Sequence, residues 1–79
     1  MNDIEICNEM KRLIEAALPS ARISVSGAEG HYRIAVVSKL FQGKSMVGQH
    51  RLVYRAIASL MEGPSAKVHA IDFLETKEA

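Results

Sequence analysis

Three histidines, one cysteine and a run of cations are the side chains of this 79-residue sequence best suited to chemistry. His31, His50 and His69 each offer an imidazole, and Cys7 carries the only thiol. A metal shell needs three or four such groups converging from a fixed framework. Histidines scattered this widely fall short of a complete shell. His50 shares the apolar stripe of a helical segment, where a satisfied core or rim imidazole is the better reading. His69 opens the last apolar segment in phase with Ile71 and Phe73, and His31 stands just after a turn. No serine joins a histidine and a carboxylate in a nucleophile–base–orienter pattern, so spacing indicates no catalytic set.

The cations are more organised. Gly30 to Met61 contains no acidic residue but holds Arg33, Lys39, Lys44, Arg51 and Arg55. Lys44, Gly48, Arg51 and Arg55 step by four, three and four, which places them along one face of a helix. Arg51 and Arg55 then repel each other by about 0.2–0.5 kcal/mol. Two readings stay open: a solvated basic face, or a surface for an anionic partner. Nucleic acid bound through Lys39, Lys44, Arg51 and Arg55 is the second reading in its sharpest form, with modest affinity that falls as salt rises. Apparent phosphate motifs do not hold. Gly43-Lys44-Ser45 ends like a P-loop, but Ser38 occupies the place of the first glycine. Gly27-Ala28-Glu29-Gly30 has the G-x-x-G spacing of a KH loop, yet lies between strand-like segments and carries an acid.

Two helices and three strands must position these groups. Asn2 and Glu5 have capping-box spacing. Ile6, Met10, Leu13, Ile14, Ala17 and Leu18 then recur at helical intervals until Pro19 stops them. The early acids and the later Lys11-Arg12 pair suit the helix dipole. Ile23 and Val25 alternate with polar residues, Gly27 to Gly30 supplies a turn, and Tyr32, Ile34 and Val36 alternate again, predicting a hairpin. Ser38 to Lys44 forms a connector with a helical turn that carries Leu40 and Phe41 into the core. Ser45 is the N-cap of a second helix with Met46, His50, Val53, Ile57, Leu60 and Met61 on its stripe, ended by Gly63-Pro64. Val68 to Leu74 reads as a third strand with Ile71 and Phe73 on one face. A helical crossover between the last two strands makes them parallel, giving an α+β fold with a three-stranded mixed sheet and helices on one face.

Residues 1–79 make one domain, and a chain this small spends most of its apolar content, 48% of residues, on a single core. That favours a binding module over an enzyme. A lone cysteine excludes an intrachain disulfide and fits a reducing compartment. An acidic start, Met1-Asn2-Asp3-Ile4-Glu5, is unlike a signal peptide, and the apolar runs are short. The expectation is a cytoplasmic protein that engages no membrane, a monomer or weak homodimer when alone.

Three longer runs carry a resemblance: His31-Tyr32-Arg33-Ile34-Ala35-Val36-Val37-Ser38, Phe41-Gln42-Gly43-Lys44-Ser45 and Gln49-His50-Arg51-Leu52-Val53-Tyr54, with Val68-His69-Ala70-Ile71 closing the chain. In this order they resemble the BolA-like family over nearly the whole length. The resemblance implies an α-β-β-α-(α)-β, class II KH-like fold and a non-enzymatic partner of monothiol glutaredoxins. It further implies that His69 is an iron ligand of a 2Fe-2S cluster shared with the glutaredoxin, with no cluster held by the isolated protein. The family's second ligand, cysteine or histidine, comes from the loop between the first two strands. That loop has no cysteine here, and His31 at its end is the nearest candidate. The resemblance also brings in transcriptional regulation and stress response, to which the basic segment 33–55 corresponds.

Overall fold

Asn2 starts the first helix, α1 (Asp3–Ala17), with a complete capping box. Its side chain accepts from Glu5 N at 2.8 Å while Glu5 Oε1 accepts from Asn2 N at 3.1 Å. Two donors that the first turn leaves open are thereby satisfied. In the computed structural model, which describes all residues Met1–Ala79, the order continues as β1 (Arg22–Ala28), β2 (His31–Ser38), a 3-10 turn η1 (Lys39–Phe41), α2 (Met46–Met61) and β3 (Ala70–Glu78). The Ser45 hydroxyl accepts from Gly48 N at 3.1 Å and caps α2. At the other end Gly63 takes φ +79°, the left-handed geometry that ends a helix at low cost to glycine.

The sheet runs β1-β2-β3, with β1–β2 antiparallel and β2–β3 parallel. Both helices cover one face. Ile6, Met10, Ile14 and Leu18 of the first helical segment meet Tyr32, Ile34 and Val36 of β2 and Val53 and Ile57 of α2. Phe41 and Val68, on the connectors, complete this core. Every fully buried β2 side chain is at an even position through Ser38, so the period of two visible in the sequence is the period of burial. No helix is long and apolar enough to cross a membrane.

Four expectations are corrected. Leu40 does not enter the core beside Phe41 but stays 50% exposed, because a three-residue 3-10 turn has room to direct one large side chain inward. Ile71 and Phe73 do not share a face. Tyr32 pairs with Ile71 and Arg33 with Phe73, so Asp72 is an extra residue, a bulge that reverses the alternation. Ile71 and Leu74 pack toward the core, Thr76 is buried, and Phe73 stands on the open face under the Arg33 guanidinium, 5.0 Å from its ring centre. The third strand is accordingly displaced from the expected Val68–Leu74 to Ala70–Glu78, and Val68 instead plugs the core while its N–H donates to Leu60 O at 3.0 Å. Lys11 and Arg12 lie too early to serve the end of α1, and Arg12 turns back to bind Glu9 at 2.7 and 2.8 Å.

Tyr32 links the core to α1: its hydroxyl donates to Asp3 Oδ1 at 3.3 Å. Burial first, then the Asp3 charge, hold its phenol above the usual 10.0. The unfolded chain therefore ionises at lower pH than the native one, so this contribution to stability is intact below about pH 10 and lost as pH climbs above it. Melting temperature should fall through that window, and Tyr32→Phe should flatten the fall while costing about 0.5–1.5 kcal/mol near neutrality for the lost hydrogen bond. Phe41→Ala should cost about 3–5 kcal/mol in urea titration, most of the stability expected of so small a domain.

Candidate functional site

The start of β3 meets the β1–β2 turn at one end of the sheet. Ala28 pairs with His31, leaving a two-residue loop of Glu29 (φ 55°) and Gly30 (φ 83°). Positive φ at both positions gives the mirror-image turn whose twist matches a hairpin. Asp3, in the first turn of α1, accepts from Glu29 N at 3.1 Å and so ties the loop to the helix. The Gly30 carbonyl then accepts two bonds, from His69 N at 2.8 Å and Ala70 N at 3.0 Å. This double acceptance seats β3 against β2, and parallel pairing sets Ala70 beside His31.

His69 is exposed, although its neighbour Val68 is buried. Its ring lies against Gly30 so closely that a Cβ there would overlap ring carbon Cδ2. A side-chain-free residue is thus required twice over, by backbone conformation and by the imidazole. His31 is likewise exposed, and its Nδ1 stands 3.1 Å from Asp72 Oδ1. With both partners more than half exposed, the pair adds little to stability. It orients instead: with the proton assigned to Nδ1 by this bond, Nε2 is the nitrogen whose lone pair remains for an external group. No three His, Cys, Asp or Glu side chains converge closely enough to enclose a metal ion. Cys7, half-buried in α1, has its thiol pKa raised by burial and by Asp3, which disfavours the ligating thiolate.

The cations separate into two places. Lys44, Arg51 and Arg55 line one shallow concavity with Ser45, Gly48 and Leu52 at the start of α2. Lys39 is elsewhere, in a groove with Arg22, Pro19, Val37 and Leu40. His50 is only partly the satisfied imidazole expected. It is half-buried, but its Nε2 is sealed from solvent with no hydrogen-bond partner. Burial follows from the helical stripe, whereas no acceptor or donor from β3 or α1 reaches that nitrogen. Sequence reasoning missed Gly30, Asp3 and Asp72 as parts of the site. Gly30 had a signal, a glycine in a turn next to a histidine; Asp72 had none, because a bulge leaves no mark on an otherwise alternating strand.

The chain is similar to known proteins across its length. The sequence profile of the BolA-like protein family matches residues 3–78. Human BolA-like protein 1 is 49% identical over 45 residues, 57% of this chain and 31% of that protein, so the match spans under a third of that relative's length. Among solved structures, the BolA domain of SufE1 from Arabidopsis thaliana superposes with a TM-score of 0.70 at 25% identity, covering 91% of this chain and 90% of that one. A bolA protein homologue from Coxiella burnetii gives a TM-score of 0.65 at 30% identity, covering 90% and 85%.

The seat of His69 on Gly30 is open to a double-mutant cycle. Gly30→Ala should destabilise the domain by about 1–3 kcal/mol through its positive φ and the overlap with the ring. In a His69→Ala background the cost should shrink, with a coupling of about 0.5 kcal/mol or more in urea titrations. Additive costs would mean that the ring does not rest on the glycine.

Proposed function

The chain belongs to the BolA-like protein family, and from that premise we propose that it is a non-enzymatic, cytoplasmic partner of monothiol glutaredoxins in iron–sulfur trafficking or iron regulation. One observation carries the reading: His69 is an exposed imidazole held on rigid backbone at the mouth of a strand pair, with His31 one register position away. This donor set suits half of a shared shell. Two exposed imidazoles stand at this end, and the remaining ligands are left for the partner's cysteine and glutathione to supply.

Each element of this end of the sheet has a task. Val68, buried, and the Gly30 carbonyl fix the backbone of His69, so its side chain searches few orientations before meeting a partner. Gly30 gives the ring a flat wall. Asp72 directs Nε2 of His31 outward, as a carboxylate behind a ligating histidine commonly does. Imidazole in place of thiolate makes a 2Fe-2S centre less negative and raises its potential. Protonation removes the lone pair of either ring, so acid should loosen the complex.

Titration of a cluster-loaded monothiol glutaredoxin with the protein, followed by visible absorption and circular dichroism, tests the assignment. Wild type should give a distinct mixed-complex spectrum. His69→Ala should keep its fold, since the side chain is exposed, and shorten the cluster lifetime about tenfold or more. His31→Ala should have a smaller effect. A His69→Ala protein that folds and returns the wild-type spectrum and lifetime would end the ligand assignment.

A further inference from the structure

The sheet has two outer strands, β1 and β3, and only one of them is regular. β3 changes register at Asp72, whereas β1 keeps one register against β2 from Arg22 to Ala28. β1 also carries no charge beyond Arg22 at its start. A regular, uncharged outer strand is the form that accepts another strand.

The two-residue turn decides which backbone groups of β1 are free. It makes Ala28 and His31 a hydrogen-bonded pair, and the pattern alternates from there. Ser26 and Ser24 therefore bond inward to Arg33 and Ala35, while Ile23 and Val25 turn their N–H and C=O groups outward. None of the backbone bonds made outside helices and strands reaches these groups. Beside them, on the helix side, Ile4, Cys7 and Asn8 of α1 form a cleft with Val25, Ser26 and Gly27. Ile4 is 72% exposed, more than any other large apolar side chain of the protein.

We propose that β1 pairs with β1 of a second copy, antiparallel about a two-fold axis at Val25, so that one sheet runs through both. Self-complementarity selects this occupant. A two-fold contact must match a surface to itself, and Ser24-Val25-Ser26 reads the same in both directions. Each Ser24 then faces Ser26 of the other copy on the open side of the sheet, where hydroxyls bond across strands. On the helix side Ile23 faces Gly27 of the other copy, whose missing side chain leaves room for it beside Ile4. Arg22 falls opposite Ala28, one residue from Glu29. Neither Arg22 nor Glu29 has an ionic partner within the chain, and the axis supplies one to each, twice over. A foreign strand would have to reproduce this whole order of cation, apolar residues, serines and acid. The two hairpin turns lie at opposite ends of the pair, so both His69 sites stay open.

Sedimentation equilibrium of the full chain across a concentration series, paired with amide hydrogen exchange, tests the pairing. A monomer–dimer equilibrium should appear, and exchange at Ile23 and Val25 should slow as concentration rises. Arg22→Glu, an exposed change outside the core, sets acid beside acid at both ends of the pair and should weaken dimerisation about tenfold. Combining it with Glu29→Arg should restore the dimer. Val25→Pro removes an outward N–H that β2 does not use, and with its fold checked by circular dichroism it should leave a monomer. His69→Ala should dimerise like wild type. A chain that stays monomeric up to about 1 mM overturns the proposal. So does a dimer in which Ile23 and Val25 exchange as fast as in the monomer, or one that the exchanged charges fail to restore. Protection that appears only when an unrelated extended peptide is added would also overturn it.

Discussion

The parallel pairing of β2 with β3 is the constraint on which the rest of the structure depends. Antiparallel neighbours need only a tight turn, but a parallel neighbour must be reached by a crossover, and α2 is that crossover. Once it is made, α2 covers the sheet, Val53 and Ile57 close the core, and the chain returns to start β3 beside the hairpin turn. Both bonds to the Gly30 carbonyl exist because the returning strand must begin there. The exposed histidines and the cations of α2 are separated by the same geometry.

Much of this was legible in the residues. Asn2 with Glu5, Ser45, Pro19 and Gly63 mark helix ends by local chemistry. Tyr32, Ile34 and Val36 show their face by alternation alone. Failures fell where a local signal competes with a tertiary one. Phe73 alternates correctly with Ile71 in sequence, yet one inserted residue sends it to the opposite face, where Arg33 covers it. Leu40 and Phe41 are equally apolar, and only the geometry of η1 decides which is buried. His69 stood out through the company it keeps in a motif, whereas its seat on Gly30 joins residues far apart in sequence and follows from strand pairing.

Division of the chain into two ends has a physical logic. The histidine end is built of backbone: a turn, a carbonyl and a strand start, with side chains held by few degrees of freedom. The α2 end is built of long arginine and lysine side chains near exposed apolar ones. Donors held on rigid elements suit a geometric demand. Gln49 and Thr76 connect the two through β3, which begins at one end and is clamped at the other.

The bulge at Asp72 also bears on how the protein keeps company with itself. β3 is an outer strand, and a straight outer strand is a template on which a further chain can extend the sheet. An extra residue interrupts the regular spacing of hydrogen-bonding groups along that border. Beyond it, Glu75, Lys77 and Glu78 place charges along the exposed remainder of the strand. The irregularity that aims a carboxylate at His31 therefore also guards the open border of the sheet against aggregation.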